Sequence, residues 1–267
     1  MLTTGKLLKD KLASNELVIG LMATDHAWPH LVEICQKGEL DYLIIDCEHG
    51  DFSDELVSSI CQVGRLANFP VLVRTISSEP TVVRRKMDLG PCGILLPNVE
   101  STDELDQVQK AVWMPPRGCR RPGGKGNYWM RDFNYDTWKS EFEDHFIVIP
   151  QIESQVGVDA APALAAHPLV TALGLGPYDL SADLGCCWDP ENGDFQAAMA
   201  TVKVAADGEG KKVWAGCDGP ALRRKGYTFL WIGTPSSTLT SALSRMVDEI
   251  KNPEVELASE ESGPPPA

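Results

Sequence analysis

The chain has 267 residues and carries 24 basic against 38 acidic side chains, a formal charge of −14 at pH 7. That excess of carboxylates argues against a nucleic-acid binder, which needs a basic stripe to displace counterions, yet leaves room for a local anion site. The length admits one large domain or two small ones, and no apolar run approaches the roughly 20 residues of a membrane span.

Lys6, Lys9 and Lys11 interrupt the leucines at the N-terminus, so no apolar stretch of a secretory signal forms there. Residues 17–22 read as a first strand and 29–37 as a helix stopped by Gly38. Residues 42–46 are a second strand, and Ser53 is placed to cap the next helix. Strands follow at 70–74 and 92–96, with a helix over 81–89 between them. The run Ser101-Thr102-Asp103-Glu104 is a capping box that opens a helix to about residue 112. Further strands are expected at 146–150, 170–174, 212–215 and 227–232, each followed by a helical segment, the last over 236–250. Near-continuous apolar strands alternating with helices imply a parallel sheet covered on both faces. Eight such units predict a (β/α)8 TIM barrel over residues 1–251 rather than an open doubly wound sheet, and no G-x-G-x-x-G follows the first strand. Two segments break the rhythm. Residues 113–144 form a long insert between strands four and five, and residues 252–267 an acidic, proline-rich tail expected to be disordered. Cys35, Cys47, Cys61, Cys92, Cys119, Cys186, Cys187 and Cys217 contain no C-x-x-C pair and read mostly as buried, reduced thiols, which points to the cytoplasm.

Barrel active sites form at the C-terminal ends of the strands. The second strand runs into Asp46-Cys47-Glu48-His49, the third ends at Arg74, the fifth runs into Gln151-Ile152-Glu153 and the sixth into Gly176-Pro177-Tyr178-Asp179. Glu153 and Asp179 offer two carboxylates to one hard divalent ion, with positions left for water and substrate; the plainer reading is a capping pair or surface salt bridge. His49 suits general acid–base work, with Asp46 three residues earlier to orient it; the plainer reading is a loop histidine. No lysine ends a strand, which favours metal-assisted enolisation over an imine. The insert holds Arg117, Arg120 and Arg121 among prolines and glycines, either as basic groups for an anion or as a plain hinge.

Asp46-Cys-Glu-His49-Gly, Arg74, Pro97, Pro115-Pro-Arg-Gly-Cys-Arg120, Gln151-Ile-Glu153 and Gly176-Pro-Tyr-Asp179-Leu resemble the HpcH/HpaI aldolase family, whose members include macrophomate synthase. The resemblance implies a class II pyruvate aldolase on a phosphoenolpyruvate/pyruvate-type barrel. It implies a divalent metal (Mg2+, Mn2+ or Co2+) on Glu153 and Asp179, with Arg74 at the enolate oxygen and His49 with Asp46 as the acid–base dyad. Gln151, Gly176, Pro177 and Tyr178 would line the substrate pocket. Asp88 would reach a neighbouring subunit, and Arg120 and Arg121 would stand near the acceptor or that boundary. The expected partners are an oxo acid, an aldehyde and further copies of the chain in a hexamer that exchanges its last helix. No nucleic acid and no membrane are expected. Ser154, Tyr178, Arg120-Arg121-Pro122 and Gly233-Thr-Pro235 depart from the family pattern and leave the acceptor open. Oxaloacetate decarboxylation with enolate coupling, a citrate-lyase-like activity and a non-catalytic anion-binding barrel are the competing readings.

Overall fold

The computed structural model describes residues 2–121, 123–124, 134–216 and 218–252. A leading helix α1 (Thr3–Ala13) precedes β1 (Val18–Ala23). Then come α2 (Leu31–Lys37), β2 (Tyr42–Asp46), α3 (Asp54–Leu66), β3 (Val71–Arg74), α4 (Pro80–Met87), β4 (Gly93–Leu96) and α5 (Thr102–Val112). After α6 (Tyr135–Glu141) and a 3-10 turn (Glu143–His145) follow β5 (Ile147–Ile152), α7 (Gln155–Ala166), β6 (Ala172–Leu175), α8 (Pro177–Asp183) and α9 (Gly193–Gly208). The chain finishes with β7 (Lys212–Gly216), α10 (Gly219–Arg224), β8 (Phe229–Trp231) and α11 (Pro235–Lys251). All eight strands pair in parallel with their neighbours in sequence, and β8 closes onto β1. The expected (β/α)8 TIM barrel is the observed fold.

Local chemistry sets the boundaries. The Ser53 hydroxyl accepts from Leu56 N–H, and Ser101 with Glu104 completes the capping box of α5. Proline opens α4, α8, α10 and α11, where its missing N–H costs no helical bond. Every residue of β2, β3, β4, β5 and β6 is buried, as strands covered on both faces require.

Inside the barrel, Tyr42 fills the space where Gly20 has no side chain: a Cβ on Gly20 would lie 2.3 Å from the ring. The Tyr42 hydroxyl donates to Leu230 O at 2.7 Å and accepts from Trp214 Nε1–H at 2.8 Å. One hydroxyl thus ties β2 to β7 and β8 across the interior.

The N-terminal end of the barrel is closed by α1 and the insert. Leu2, Leu8 and Leu12 are buried, and Leu2 N–H donates to Glu141 O. The insert, expected as a loop, contains α6, capped by Asn134 and held by Trp138 stacked on Phe142 at 4.5 Å. Glu143 accepts from Met114 N–H and from Arg117, which lies over the Trp113 ring.

The insert also fixes where Arg120 lies within one chain. Arg120 is buried beside Met87 and ion-pairs with Asp88 at 2.9 Å, where α4 and α5 end and before β4 and β5 begin. It therefore sits at the end of the barrel opposite to the strand C-termini, and the adjoining Arg121 does too. Within one chain neither stands at the mouth. Composition marked the segment as basic and glycine-rich, but only the connectivity shows at which end it lies. Residues 125–133 of the insert and 253–267 of the tail lie outside the described residues. Among the described residues, no helix is long and apolar enough to cross a membrane.

The Tyr42 bridge sets a stability test. Tyr42→Phe strands a buried indole N–H and removes one of the bonds to the Leu230 carbonyl, so denaturant unfolding should show a loss of about 1–3 kcal/mol with an unchanged m-value. A loss below about 0.5 kcal/mol would show that the bridge does not hold the strands.

Candidate active site

Four strands deliver the candidate residues to one mouth. In the β2–β3 ladder, Asp46 pairs in register with Arg74, so both side chains point into the barrel at the same level. Arg74 Nε–H donates to Asp46 Oδ1 at 2.8 Å and Nη2–H to Oδ2 at 2.6 Å, the two-pronged geometry that suits guanidinium and carboxylate. Asp46 has no exposed surface. Its oxygens also accept from the Thr24 hydroxyl and from Glu48 N–H and His49 N–H. Burial pushes the Asp46 carboxyl up, but hydrogen bonds and charge from Arg74 outweigh it and hold the group below the usual range. Arg74 Nη1 ion-pairs with Glu48 Oε2 at 3.1 Å without a hydrogen bond, so three of its five N–H groups donate to neither carboxylate.

This geometry corrects the dyad expected from the sequence. Asp46 is committed to Arg74 and to backbone N–H groups, and it touches the backbone of His49 rather than the ring. The His49 side chain is 61% exposed on the rim, and the acid nearest its Nε2 is Glu48, at 4.0 Å. Asp46 orients the arginine, and Glu48 is the carboxylate beside the histidine. Sequence reasoning passed over Glu48 although it stands inside the quoted motif. A three-residue spacing suggests a contact, but strand register decides which partner the carboxylate takes.

Across the mouth, Gln151 and Glu153 leave the end of β5 and are buried. Glu153 Oε2 accepts from Asn98 N–H at 2.8 Å. Gly176 makes this arrangement possible, because a Cβ there would lie 2.2 Å from Glu153 Oε1 and 2.8 Å from Gln151 Nε2. Pro177 then starts α8, with Tyr178 and Asp179 in its first turn, both exposed at the mouth. Burial pushes the Glu153 carboxyl up to about 7, and the charges of Asp179 and Glu48 add to the rise against Arg74 and the Asn98 amide. Glu48 is raised as well, first by burial and then by the neighbouring carboxylates against Arg74 and His49. Two carboxyls raised by burial and by neighbouring carboxylates mark a site with unmet demand for positive charge. Three buried polar atoms at the mouth also have no hydrogen-bond partner among the described residues: Glu48 Oε2, Gln151 Oε1 and Trp231 Nε1. Trp231 was not singled out from the sequence; its indole covers Gly216, where a Cβ would lie 2.0 Å from the ring.

These features test whether a divalent ion fits. Glu153 and Asp179 supply hard oxygen donors, the repulsion between them is what a cation relieves, and Gly176 keeps the space beside Glu153 Oε1 clear. Among the described residues, no three or more His, Cys, Asp and Glu side chains are grouped to hold a metal by themselves. Two carboxylates plus water and substrate suit an open catalytic site better than a closed structural one. Asp88, paired with Arg120 at the far end, is not part of this mouth within one chain.

The comparisons with known proteins agree on one family. The profile described as HpcH/HpaI aldolase/citrate lyase matches residues 22–242. A relative from Chromohalobacter salexigens, named hydroxypyruvate/pyruvate aldolase, is 29% identical over 228 residues, covering 83% of this chain and 89% of its own. A 5-keto-4-deoxy-D-glucarate aldolase of Escherichia coli is 29% identical over 251 residues, covering 91% and 96%. The crystal structure of an HpcH/HpaI aldolase from Desulfitobacterium hafniense superposes with a TM-score of 0.83 at 28% identity, covering 92% of this chain and 97% of that one.

The raised Glu153 gives a pH signature. Its pKa rises from an ordinary 4.5 to about 7, so the folded chain holds this proton to higher pH than the unfolded chain does. The stabilisation is therefore present below pH 4.5 and lost as pH rises to about 7, at most about 3 kcal/mol in all. In chelator, the stability of Glu153→Gln relative to the natural chain should grow across that window and stay flat above it. Denaturant midpoints measured from pH 4 to 8 check this; parallel curves for the two proteins would sink it.

Proposed function

The chain belongs to the HpcH/HpaI aldolase/citrate lyase family, and on that premise we propose that it is a divalent-metal-dependent aldolase. It cleaves a 4-hydroxy-2-oxo acid reversibly to pyruvate and an aldehyde. The observation that carries this reading is the mouth itself, where Glu48, Glu153 and Asp179 face one another across Arg74. The aldolase names of the relatives support the same reaction class.

A divalent ion held by Glu153 and Asp179 would supply a Lewis acid for the carboxylate and keto oxygens of the oxo acid. The chain's own residues do the rest. Cleavage breaks the C3–C4 bond and leaves its electron pair on the pyruvate half, so negative charge develops on the keto oxygen. The unused N–H donors of Arg74, fixed by Asp46 and Glu48, stabilise that charge without reorganising. His49 at the rim, beside Glu48, takes the proton of the 4-hydroxyl as C4 becomes the aldehyde carbonyl. A proton returns to C3 to complete pyruvate. The unpaired Gln151 Oε1 accepts a hydrogen bond from substrate or water in the same pocket.

Pyruvate release from a 4-hydroxy-2-oxo acid, followed through a coupled dehydrogenase, is expected to stop on removal of metal and to return with Mg2+, Mn2+ or Co2+. Glu153→Gln should lower kcat/KM by a factor on the order of 1,000, about 4 kcal/mol, with circular dichroism unchanged, and Arg74→Ala should lower it at least as far while also loosening the turn that Asp46 holds. Full activity after thorough chelation would overturn the metal reading.

We further propose that the working form is a homo-oligomer, a hexamer, in which α11 covers a second copy. No residue of α11 is buried, and Leu239, Leu243, Met246 and Ile250 form an apolar stripe along it, each more than half exposed. Asp88 would reach the mouth of a neighbouring copy in such an assembly. Light scattering at micromolar concentration should give several chain masses, falling when Leu243 and Met246 are both changed to Glu. A monomer at every concentration would refute it.

A further inference from the structure

A cavity of about 320 Å³ opens beside the mouth, between α8, α9 and the turn from β7 to α10. Its walls are mainly aromatic and apolar, with Asp189, Glu191 and Asp218 also among the lining residues. Tyr178 and Trp188 stack at 4.5 Å between ring centroids, and Phe195 and Met199 complete the lining from the start of α9. Its outer rim is polar, with Lys225 donating to Gln196 Oε1 at 2.6 Å.

The wall is built rather than incidental. Trp188 is 66% exposed, and its backbone sits at φ +63°, a region that only glycine enters without cost. A buried hydroxyl holds it there: Ser181 Oγ–H donates to Tyr178 O at 2.8 Å and accepts from Trp188 N–H at 3.3 Å. The same group therefore fixes the backbones that carry both rings. Tyr178 immediately precedes Asp179, so the pocket begins one residue from a carboxylate assigned to the ion.

We propose that this pocket is an acceptor subsite, and that the aldehyde handled by this chain carries an aromatic or similarly flat apolar substituent. The inference rests on the aldolase reading above. In the synthetic direction, pyruvate's methyl carbon gives up a proton and bonds to the aldehyde carbon, and the aldehyde oxygen takes up a proton. The substituent on that carbon lies away from the charged mouth, against Tyr178 and Trp188. Flat apolar groups gain from stacking on such rings, and a pocket of this volume holds a benzene-sized group. Small polyhydroxylated aldehydes would leave the apolar wall uncovered.

The test compares benzaldehyde with glycolaldehyde as acceptors for pyruvate, in the natural chain and in Trp188→Ala and Trp188→Phe. Benzaldehyde should be preferred by kcat/KM in the natural chain. Trp188→Ala should lower the benzaldehyde-to-glycolaldehyde ratio about tenfold, mainly through KM for benzaldehyde, and Trp188→Phe should restore most of it. Saturation-transfer NMR with benzyl alcohol, which cannot react, should show contact with the natural chain and lose it in Trp188→Ala. Addition to glycolaldehyde without a benzaldehyde preference, and no benzyl alcohol contact, would overturn the subsite and leave the aldolase standing. Benzyl alcohol contact that depends on Trp188, with no addition to either aldehyde, would overturn the aldolase reading and with it the acceptor role.

Discussion

The Asp46–Arg74 pair is the interaction on which the mouth depends. A guanidinium inside a barrel is tolerable only if its charge is matched and its donors are used, and a carboxylate with no exposed surface has the same need. The parallel register of β2 and β3 meets both needs by placing the two side chains opposite each other. Once paired, each directs further groups: Asp46 draws in the backbone of Glu48 and His49, and Arg74 draws in the Glu48 carboxylate. The turn after β2 is therefore shaped by its acid, and His49 is carried to the rim as a consequence. Removing either partner would leave an unmatched buried charge and release that turn.

Charge at the mouth then has a direction. The chain as a whole is strongly acidic, and the mouth concentrates that excess, with Glu48 and Glu153 near Arg74 and Asp179 near both carboxylates. Burial raises the Glu153 carboxyl to about 7, and the neighbouring carboxylates add to that rise. A cation held there, as proposed, would offset the repulsion between these carboxylates with its own attraction to each of them. An anionic substrate would be repelled by the global field, but under the proposed reading an oxo acid would meet local positive charge at the cation and Arg74.

Sequence patterns carried the architecture because strand and helix periods are local. The run at Tyr42–Asp46, the Ser53 cap and the Ser101 capping box lie where their residues place them. β5 extends to Ile152, two residues beyond the apolar run, because Gln151 continues the ladder opposite Gly174. Partnership was less legible. The three-residue gap between Asp46 and His49 looked like a dyad, yet cross-strand register gave the acid to Arg74. The basic, glycine-rich insert looked functional, yet Arg120 proved to be a buried strut to Asp88 at the opposite end. Trp188 and Trp231 were invisible as site residues because what they touch lies on other elements of the chain.

The mouth that results is two-sided. β2, β3, β5 and the start of α8 contribute its charged half, while β7 and β8 contribute an aromatic one. There Trp231 stacks on Trp214 at 5.6 Å over Gly216, and Trp214 is anchored through Tyr42 to the β8 backbone. Glycine serves opposite purposes on the two sides: Gly176 clears space for a carboxylate and an amide, and Gly216 for an indole. The pocket walled by Tyr178 and Trp188 begins where these halves meet, at the junction of α8 with the β7 end. A bifunctional substrate with a chelating acid at one end and an apolar group at the other matches that division. On the proposed reading, the fold would separate the part of the site that breaks the bond from the part that selects what is cleaved, and the second could change without disturbing the Asp46–Arg74 ion pair that holds the first in place.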